Sequence, residues 1–552
     1  MMPTDELSQR LMQADACRRT NRWQEALDHY LYAEPYLPDH AAIKHNLALC
    51  HLGMGDARQS ISYCNAALIL NKTLWQSELL KAKALNKIGK HDEAMVILIS
   101  LLKRHPGNAE IRLELASMSL HELGDAWLSQ RLVQSFISDP VHGRDATLTT
   151  LMSQLYERDI PAEELAKAIC TFADKHLVLP CSPADTPAQI TRHDISSRIR
   201  VGLISPMLHC SPVYFFCIGA LKQLSATVDL IIFNRRNFHD WATQEFQTIA
   251  HEWFDVFAMD SEALASFLHK QNLDILLDMG GWMDPAALRS LSSKPAKRMY
   301  KWVGGQSATT GLRAFDGILS DEYQTPRSLQ HLYVEPLIFL DSGYVTYTPP
   351  PYLPPPLTAH DGKVRLGVIS NPVKISRNFL LYLKNKLGTI EKTLSEPLTL
   401  CFIDRRYRHQ QLMTRINAAL HGISKNGSII IEFIVPDSHR SYLREVARLT
   451  AVIDTFPYSG GLTSIEALSL GVPCFTRPGL LFSERHTLSH CKYAGMDLEQ
   501  IDLNDLAEYS VLNGLMKKHC AAQRHSLLRA DSSRLDHAAL ADSLCRQFKL
   551  SF

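Results

Sequence analysis

The stretch DTFPYSGGLTSIEALSLGVPCFTRPG (454–479) holds the residues best suited to bind an anion. An apolar run ends at Phe456, a turn with Gly460 and Gly461 follows, and a helical pattern begins near Thr463. A helix that starts after glycines exposes unpaired backbone N–H groups at the positive end of its dipole, which suits a phosphate. Thr463 and Ser464 add hydroxyl donors at that mouth, and Glu466 stands three residues past Thr463. Its carboxylate reads two ways: as acceptor for ribose hydroxyls, or as a capping-box residue turned back to the helix start. Spacing alone leaves both open. No Asp-x-Asp triplet occurs in the chain, so the carboxylate pair that usually holds a divalent ion on a diphosphate is missing. His486 and His490 lie one helical turn apart without an evident third ligand, and are expected as a satisfied surface pair rather than a metal site.

The run D-T-F-P-Y-x-G, followed by T-x-x-E-x-L and G-V-P, resembles the donor-binding segment of the O-GlcNAc transferase family, including its plant relatives of the SPINDLY type. The order of parts, helical repeats and then two α/β lobes, resembles that family as well. The resemblance implies a GT-B glycosyltransferase in which Thr463 and Ser464 meet the diphosphate and Glu466 the ribose. It also implies that Tyr442, twelve residues before Asp454, stacks on the nucleotide base. SNPVKIS (370–376) resembles the family's F-N-x-x-x-K-I/L motif and gives Lys374 the role of a fixed cation, stabilising charge that grows on the departing nucleoside diphosphate. RPGLLFSERHTLSH (477–490) follows P-G-x-x-x-x-S-R and puts Arg485 near the donor.

In VGLISPMLHCSPVYFF (201–216) the family carries a His-Pro pair facing the acceptor cleft. Here Ser211 precedes Pro212, and His209, two residues earlier, takes that part only if the loop shifts register. MGGWMDP (279–285) has Met279 where the family's loop has arginine. The implied reaction is inverting transfer of a hexose or N-acetylhexosamine, GlcNAc favoured, from a UDP-sugar to a protein side chain, with no metal and no other cofactor. GDP-fucose stays open as donor, because the SPINDLY-type relatives share nearly the same phosphate motif. Ser211 in place of histidine sustains the alternative of a repeat scaffold or chaperone-like partner with an inactive transferase domain.

These residues need elements to hold them. Ala26, Ser60 and Ala94 are 34 apart, as are Pro38, Lys72 and Pro106, and Gly55 and Gly89 keep the same interval. That is the tetratricopeptide period, with a further turn at Leu123-Gly124-Asp125 one residue late. Such helical repeats stack into a continuous core and leave a concave groove for a peptide or protein segment. From Arg198 the pattern changes to short apolar runs such as RIRVGLIS, VDLIIFN and LDILLDMGG alternating with amphipathic helices, and KVRLGVIS, LTLCFID, SIIIEFIV and AVIDTF repeat it later. The fold class is therefore α/β, two doubly wound Rossmann-like lobes preceded by an all-α repeat domain. Expected boundaries are 1–158 for the repeats, 159–197 for a linker, 198–346 for the acceptor-side lobe, 347–362 for a proline-rich hinge, and 363–552 for the nucleotide-sugar lobe.

Composition excludes other classes. Hydrophobic residues make up 46% and charged residues 21% of 552, a globular balance. With 58 basic against 57 acidic residues, no general field draws the chain to nucleic acid or to a membrane surface. The start MMPTDELSQRLMQADA has no basic region followed by an apolar run, and no stretch approaches the ~20 apolar residues of a membrane span, so a cytoplasmic protein is expected. Twelve scattered cysteines without a CxxC pair read as reduced thiols. The expected partners are a protein or peptide acceptor and the UDP-sugar; the oligomeric state is open, self-association through the helices included.

Overall fold

The computed structural model describes residues 4–180, 198–357, 363–391, 397–424, 426–496, 502–503, 525–528 and 534–548, and divides the chain into two compact units, Met1–Thr150 and Leu151–Phe552.

In the first unit, helix pairs follow one another: α1 (Thr4–Arg19) with α2 (Trp23–Ala33), α3 (Ala41–Gly53) with α4 (Ala57–Leu70), α5 (Trp75–Lys87) with α6 (His91–Arg104), and α7 (Ala109–His121) with α8 (Ala126–Val133). The 34-residue period has a direct structural cause. Ala26, Ser60 and Ala94 sit where paired helices cross and are wholly buried, and Ser129 fills that place in the last pair, one residue late. The turn inside each pair needs a left-handed residue, supplied by Gly55, Gly89 and Gly124 at φ 91°, 80° and 62°. Asn21, at φ 57°, holds the same position in the first pair, a residue type that tolerates this region. Asp56 and Asp125 cap α4 and α8 by accepting from the Gln59 and Leu128 N–H groups.

The second unit contains two fully parallel sheets. The first has strands β1 (Arg200–Ser205), β2 (Asp229–Asn234), β3 (Glu252–Asp255), β4 (Leu273–Asp278), β5 (Ala296–Lys301), β6 (Gly317–Ser320) and β7 (Leu337–Phe339), in the order 3-2-1-4-5-6-7. The second has β8 (Val364–Val368), β9 (Leu398–Ile403), β10 (Ile429–Ile434), β11 (Ala451–Ile453) and β12 (Cys474–Phe475), in the order 10-9-8-11-12. Central strands are buried on both faces, as their unbroken apolar runs require. In each sheet the order reverses beside the first strand, between β1 and β4 and between β8 and β11. Loops diverge there and leave a crevice at the carboxyl ends.

Three stretches differ from expectation. Within 159–197 lies a 15-residue helix, Ala162–His176, started by Pro161 and burying Leu165, Ala166, Ile169, Phe172 and Ala173; residues 181–197 of that proposed linker lie outside the described residues. The proline-rich hinge, described as far as residue 357, is docked rather than free. Tyr347 is wholly buried, its N–H donates to Arg534 O at 2.5 Å, and the Thr348 N–H donates to Phe215 O at 2.8 Å. Helix His537–Phe548, expected in the second lobe, packs on helix Pro212–Leu224 of the first. There His537 meets the Thr346 hydroxyl at 2.9 Å, and Arg298 donates to Phe548 O at 2.7 Å.

The described cysteines are free thiols, all buried except Cys170 and Cys210; Cys181 and Cys520 lie outside the described residues. No helix among the described residues is long and apolar enough to cross a membrane.

Candidate active site

A cavity of about 630 Å³ opens between the carboxyl ends of the two sheets. The first lobe contributes Met207 and Pro212 after β1 and Val303 to Gln306 after β5. The second contributes Lys374 after β8, Asp404 to Arg406 after β9, His439 and Tyr442 after β10, and Tyr458, Gly461, Thr463 and Glu466 after β11.

The glycine turn is built around Asp454. Its buried carboxylate accepts from Gly460 N–H at 2.6 Å, from the Ser459 hydroxyl at 2.7 Å and from the Thr476 hydroxyl at 2.7 Å. A side chain on Gly460 would meet the Ser464 hydroxyl and push it off its bond to Thr487. Helix Leu462–Ser469 begins immediately after Gly461, with no side chain capping it. The Leu462 and Thr463 amides therefore have no intrahelical acceptor, while the Ser464 N–H donates to Gly461 O at 3.2 Å, and Gly461 and Thr463 line the cavity. Ser464 does not line the cavity: its hydroxyl meets the Thr487 hydroxyl at 2.6 Å in the core. The Gly460 N–H is likewise committed, to Asp454.

Glu466 does not return to the helix start. It lies in the cavity wall, 1% exposed, with Oε1 2.8 Å from His439 Nε2. Burial pushes its carboxyl above the usual range, and the bond to His439 works against that rise. The His439 ring stacks on Tyr442, centroids 5.9 Å apart and planes 17° from parallel, and its Nδ1 is 3.0 Å from the Tyr352 hydroxyl. Tyr442 is anchored by a 3.3 Å bond from its hydroxyl to Ile369 O. Carboxylate and rings thus share one stretch of the cavity wall.

Lys374 lines the same cavity. Asn371 Oδ1 accepts the Val373 N–H, Pro372 starts a single tight turn, and Ser376 caps the helix Arg377–Ile390 that follows. The ammonium donates to Ser459 O at 2.7 Å and lies 4.4 Å from the centre of the Tyr458 ring. Burial lowers its pKa to about 8, with Asp454 pulling in the opposite direction. A cation held by one carbonyl and one ring keeps donors free for an anion.

The remaining sequence candidates are elsewhere. His209 does not line the cavity; its Nε2 is 3.0 Å from an Arg236 guanidinium nitrogen and its ring meets Phe238 edge-on. Ser211 precedes helix Pro212–Leu224, 5% exposed, and its hydroxyl donates to Met207 O at 2.8 Å. Arg485 donates to Tyr323 O at 2.9 Å and Gly479 O at 2.8 Å, tying the lobes together away from the cavity. His486 and His490 are buried, not a surface pair. His486 lines the cavity with Nδ1 3.1 Å from the Tyr344 hydroxyl, and burial lowers its pKa to about 3, so it is a neutral imidazole. Among the described residues no group of three His, Cys, Asp or Glu side chains could hold a metal ion. Sequence reading missed His439 and the Asp404-Arg405-Arg406 loop. The rule that ligands sit beyond strand carboxyl ends, applied to LTLCFID and SIIIEFIV, points to both.

No family model matches the chain. It is 22% identical over 307 residues to the probable UDP-N-acetylglucosamine–peptide N-acetylglucosaminyltransferase SPINDLY of Solanum lycopersicum, covering 54% of this chain and 32% of the relative. To the Arabidopsis thaliana protein of the same name it is 26% identical, covering 51% and 31%. To the Arabidopsis protein with the corresponding name SEC it is 24% identical, covering 62% and 35%. The chain thus spans about a third of the length of the curated relatives it matches. Among solved structures, a mutant O-GlcNAc transferase of Thermobaculum terrenum superposes with a TM-score of 0.68 at 21% identity, covering 100% of this chain and 99% of that one. The shared architecture is helical repeats followed by two parallel-sheet lobes, the GT-B arrangement.

Proposed function

Because the chain is a relative of the O-GlcNAc transferase and SPINDLY proteins, we propose that it is a cytoplasmic protein glycosyltransferase. On this reading it moves a hexose or N-acetylhexosamine, GlcNAc favoured, from a UDP-sugar to a protein side chain presented by the repeats, with inversion and without a metal. The observation that carries the reading is one cavity whose wall holds a cation, an open helix terminus and a carboxylate beside stacked rings.

The diphosphate lies across Gly461, Thr463 and the first amides of helix Leu462–Ser469, within reach of Lys374. Glu466 accepts from the ribose hydroxyls once they displace His439, and Tyr442 offers its face to the base. An acceptor hydroxyl oxygen attacks the anomeric carbon from the face opposite the diphosphate, and its proton passes to water or to the departing phosphate. As the old glycosidic bond breaks, its electron pair passes to a phosphate oxygen, where the Lys374 ammonium gains interaction energy in the transition state.

The test is thermal stabilisation by UDP, GDP and their sugar conjugates. At a hundred times Kd, a ligand of the folded state contributes about 2.7 kcal/mol. A UDP-selective rise in melting temperature is expected, and Glu466→Ala weakens UDP at least about tenfold, since a hydrogen bond to a charged group is worth roughly 1.5–3 kcal/mol. No shift with any nucleotide overturns the reading and leaves the repeats as the working part.

A second expectation concerns pH. The ammonium of Lys374 is the active form, so kcat/KM, which reports the free enzyme, falls as pH rises through about 8. Bound diphosphate raises that pKa, so the alkaline limb of kcat lies higher. Profiles with a common limb near 10.5 contradict the assignment of Lys374.

A further inference from the structure

Three consecutive residues of the second unit, Tyr156, Glu157 and Arg158, each touch a different loop of the nucleotide-side lobe. The Tyr156 ring lies flat on that of Tyr458, centroids 4.9 Å apart and planes 8° from parallel. The Glu157 carboxylate accepts the Arg377 N–H at 2.6 Å. Arg158 pairs with Glu484, whose side chain is 1% exposed and also accepts the Leu480 and Leu481 N–H groups at 2.7 and 3.2 Å.

Each loop carries a residue of the cavity wall. Tyr458 is one itself, Lys374 stands three residues before Arg377, and His486 two residues after Glu484. We propose that Tyr156 is a positioning residue for Lys374, fixing the Tyr458 ring against which the ammonium rests, while Glu157 and Arg158 hold the loops on either side.

Little holds Lys374 in place. Among the described residues no carboxylate lies within ion-pair distance of it; its neighbours are Ser459 O and the Tyr458 ring. The Tyr458 ring is restrained at its hydroxyl by a 3.2 Å contact with the Ser307 hydroxyl. Tyr156 adds a second restraint, on the ring plane, because parallel rings at this separation resist tilting. The stack also keeps water from the Tyr458 ring and so from the ammonium resting on it, which disfavours the charged form. A connecting segment that only had to pack would bury apolar side chains there. This one instead commits an acid to the amide beside the Lys374 turn, and a base to the carboxylate that orders the 479–484 turn.

The proposal rests on the transferase reading above, and its test is chosen to be separable from it. In the full chain, Tyr156→Leu removes the ring stack and keeps apolar bulk, and Tyr156→Phe keeps the ring. Two quantities are measured: the kinetics of sugar transfer from UDP-GlcNAc, and the pH midpoint at which Lys374 becomes reactive to acetic anhydride, read by mass spectrometry without any need for activity. Tyr156→Leu is expected to lower kcat on the order of tenfold with little change in KM, as misplacement of a catalytic group does. It also moves the Lys374 midpoint up from about 8, because the stack no longer excludes water. Tyr156→Phe restores both. If the wild type transfers no sugar, the transferase reading fails while the midpoint still decides this proposal. A midpoint unchanged in Tyr156→Leu overturns it, and one shifted by Leu and restored by Phe supports it. Should Tyr156→Leu fail to fold, Tyr156→Met serves: it likewise removes the ring and keeps apolar bulk, the same upward shift of the midpoint is expected, and none overturns the proposal.

Discussion

Lys374→Ala lowers kcat about a thousandfold, the upper range for removing one preorganised group that stabilises growing negative charge, and leaves a folded protein that still binds UDP. The geometry argues both halves. The ammonium faces the cavity beside the helix terminus expected to hold the diphosphate, so its loss falls on the step in which the leaving group gains charge. Folding does not depend on it. The folded pKa, near 8, lies below the ordinary lysine value of 10.5, so the fold disfavours the charged form. Below pH 8 lysine is protonated in both states and that cost is fully present; it fades as pH rises from 8 toward 10.5. The alanine variant is therefore expected to melt no lower than the wild type at neutral pH. Single-turnover transfer and thermal melting on the same preparation check both parts, and undiminished turnover removes Lys374 from the mechanism.

The contrast between what could be read from residue order and what needed coordinates is physical. Ala26, Ser60 and Ala94 mark the repeats because close helix crossing excludes larger side chains, a constraint on residue type that leaves a countable trace. Asn21 escaped the same count because its position demands a backbone angle, which asparagine meets as well as glycine does. Helix Ala162–His176 has a readable pattern, with Leu165, Ile169 and Phe172 on one face, but the proline-rich stretch after it masked that signal. At the site, Thr463 and Ser464 are adjacent and equally suited by type, yet a helix turns each residue about 100° from the last, so only one can face the ligand. The other bonds to Thr487 in the core. Arg485 lies close to the donor motif in sequence, but its long side chain reaches backbone carbonyls of the opposite lobe. His439 was missed because nothing local announces a partner 27 residues away.

The largest expected loss of stability falls on Asp454, which touches neither sugar nor acceptor in the proposed complex. Its carboxylate, 1% exposed, accepts from one backbone amide and two hydroxyls and so closes the turn that delivers Gly461 and Thr463 to the cavity. Asp454→Ala leaves those donors buried without an acceptor, at roughly 1–3 kcal/mol each before relaxation, and a total loss of about 3–5 kcal/mol is expected. Asp454→Asn keeps the shape and one acceptor oxygen, while the Ser459 and Thr476 hydroxyls can rotate to accept from the new amide, so the loss should stay near 1 kcal/mol. Urea midpoints of the two variants measure that difference. The asparagine variant also tests the charge balance of the site, because Asp454 raises the pKa of Lys374 against the effect of burial. Removing the negative charge lowers that pKa further, so the alkaline limb of kcat/KM in Asp454→Asn moves below pH 8, opposite in sign to the shift expected for Tyr156→Leu. If the limb stays at the wild-type position, Asp454 acts through the shape of the turn alone, and burial with the Tyr458 ring sets the charge state of Lys374.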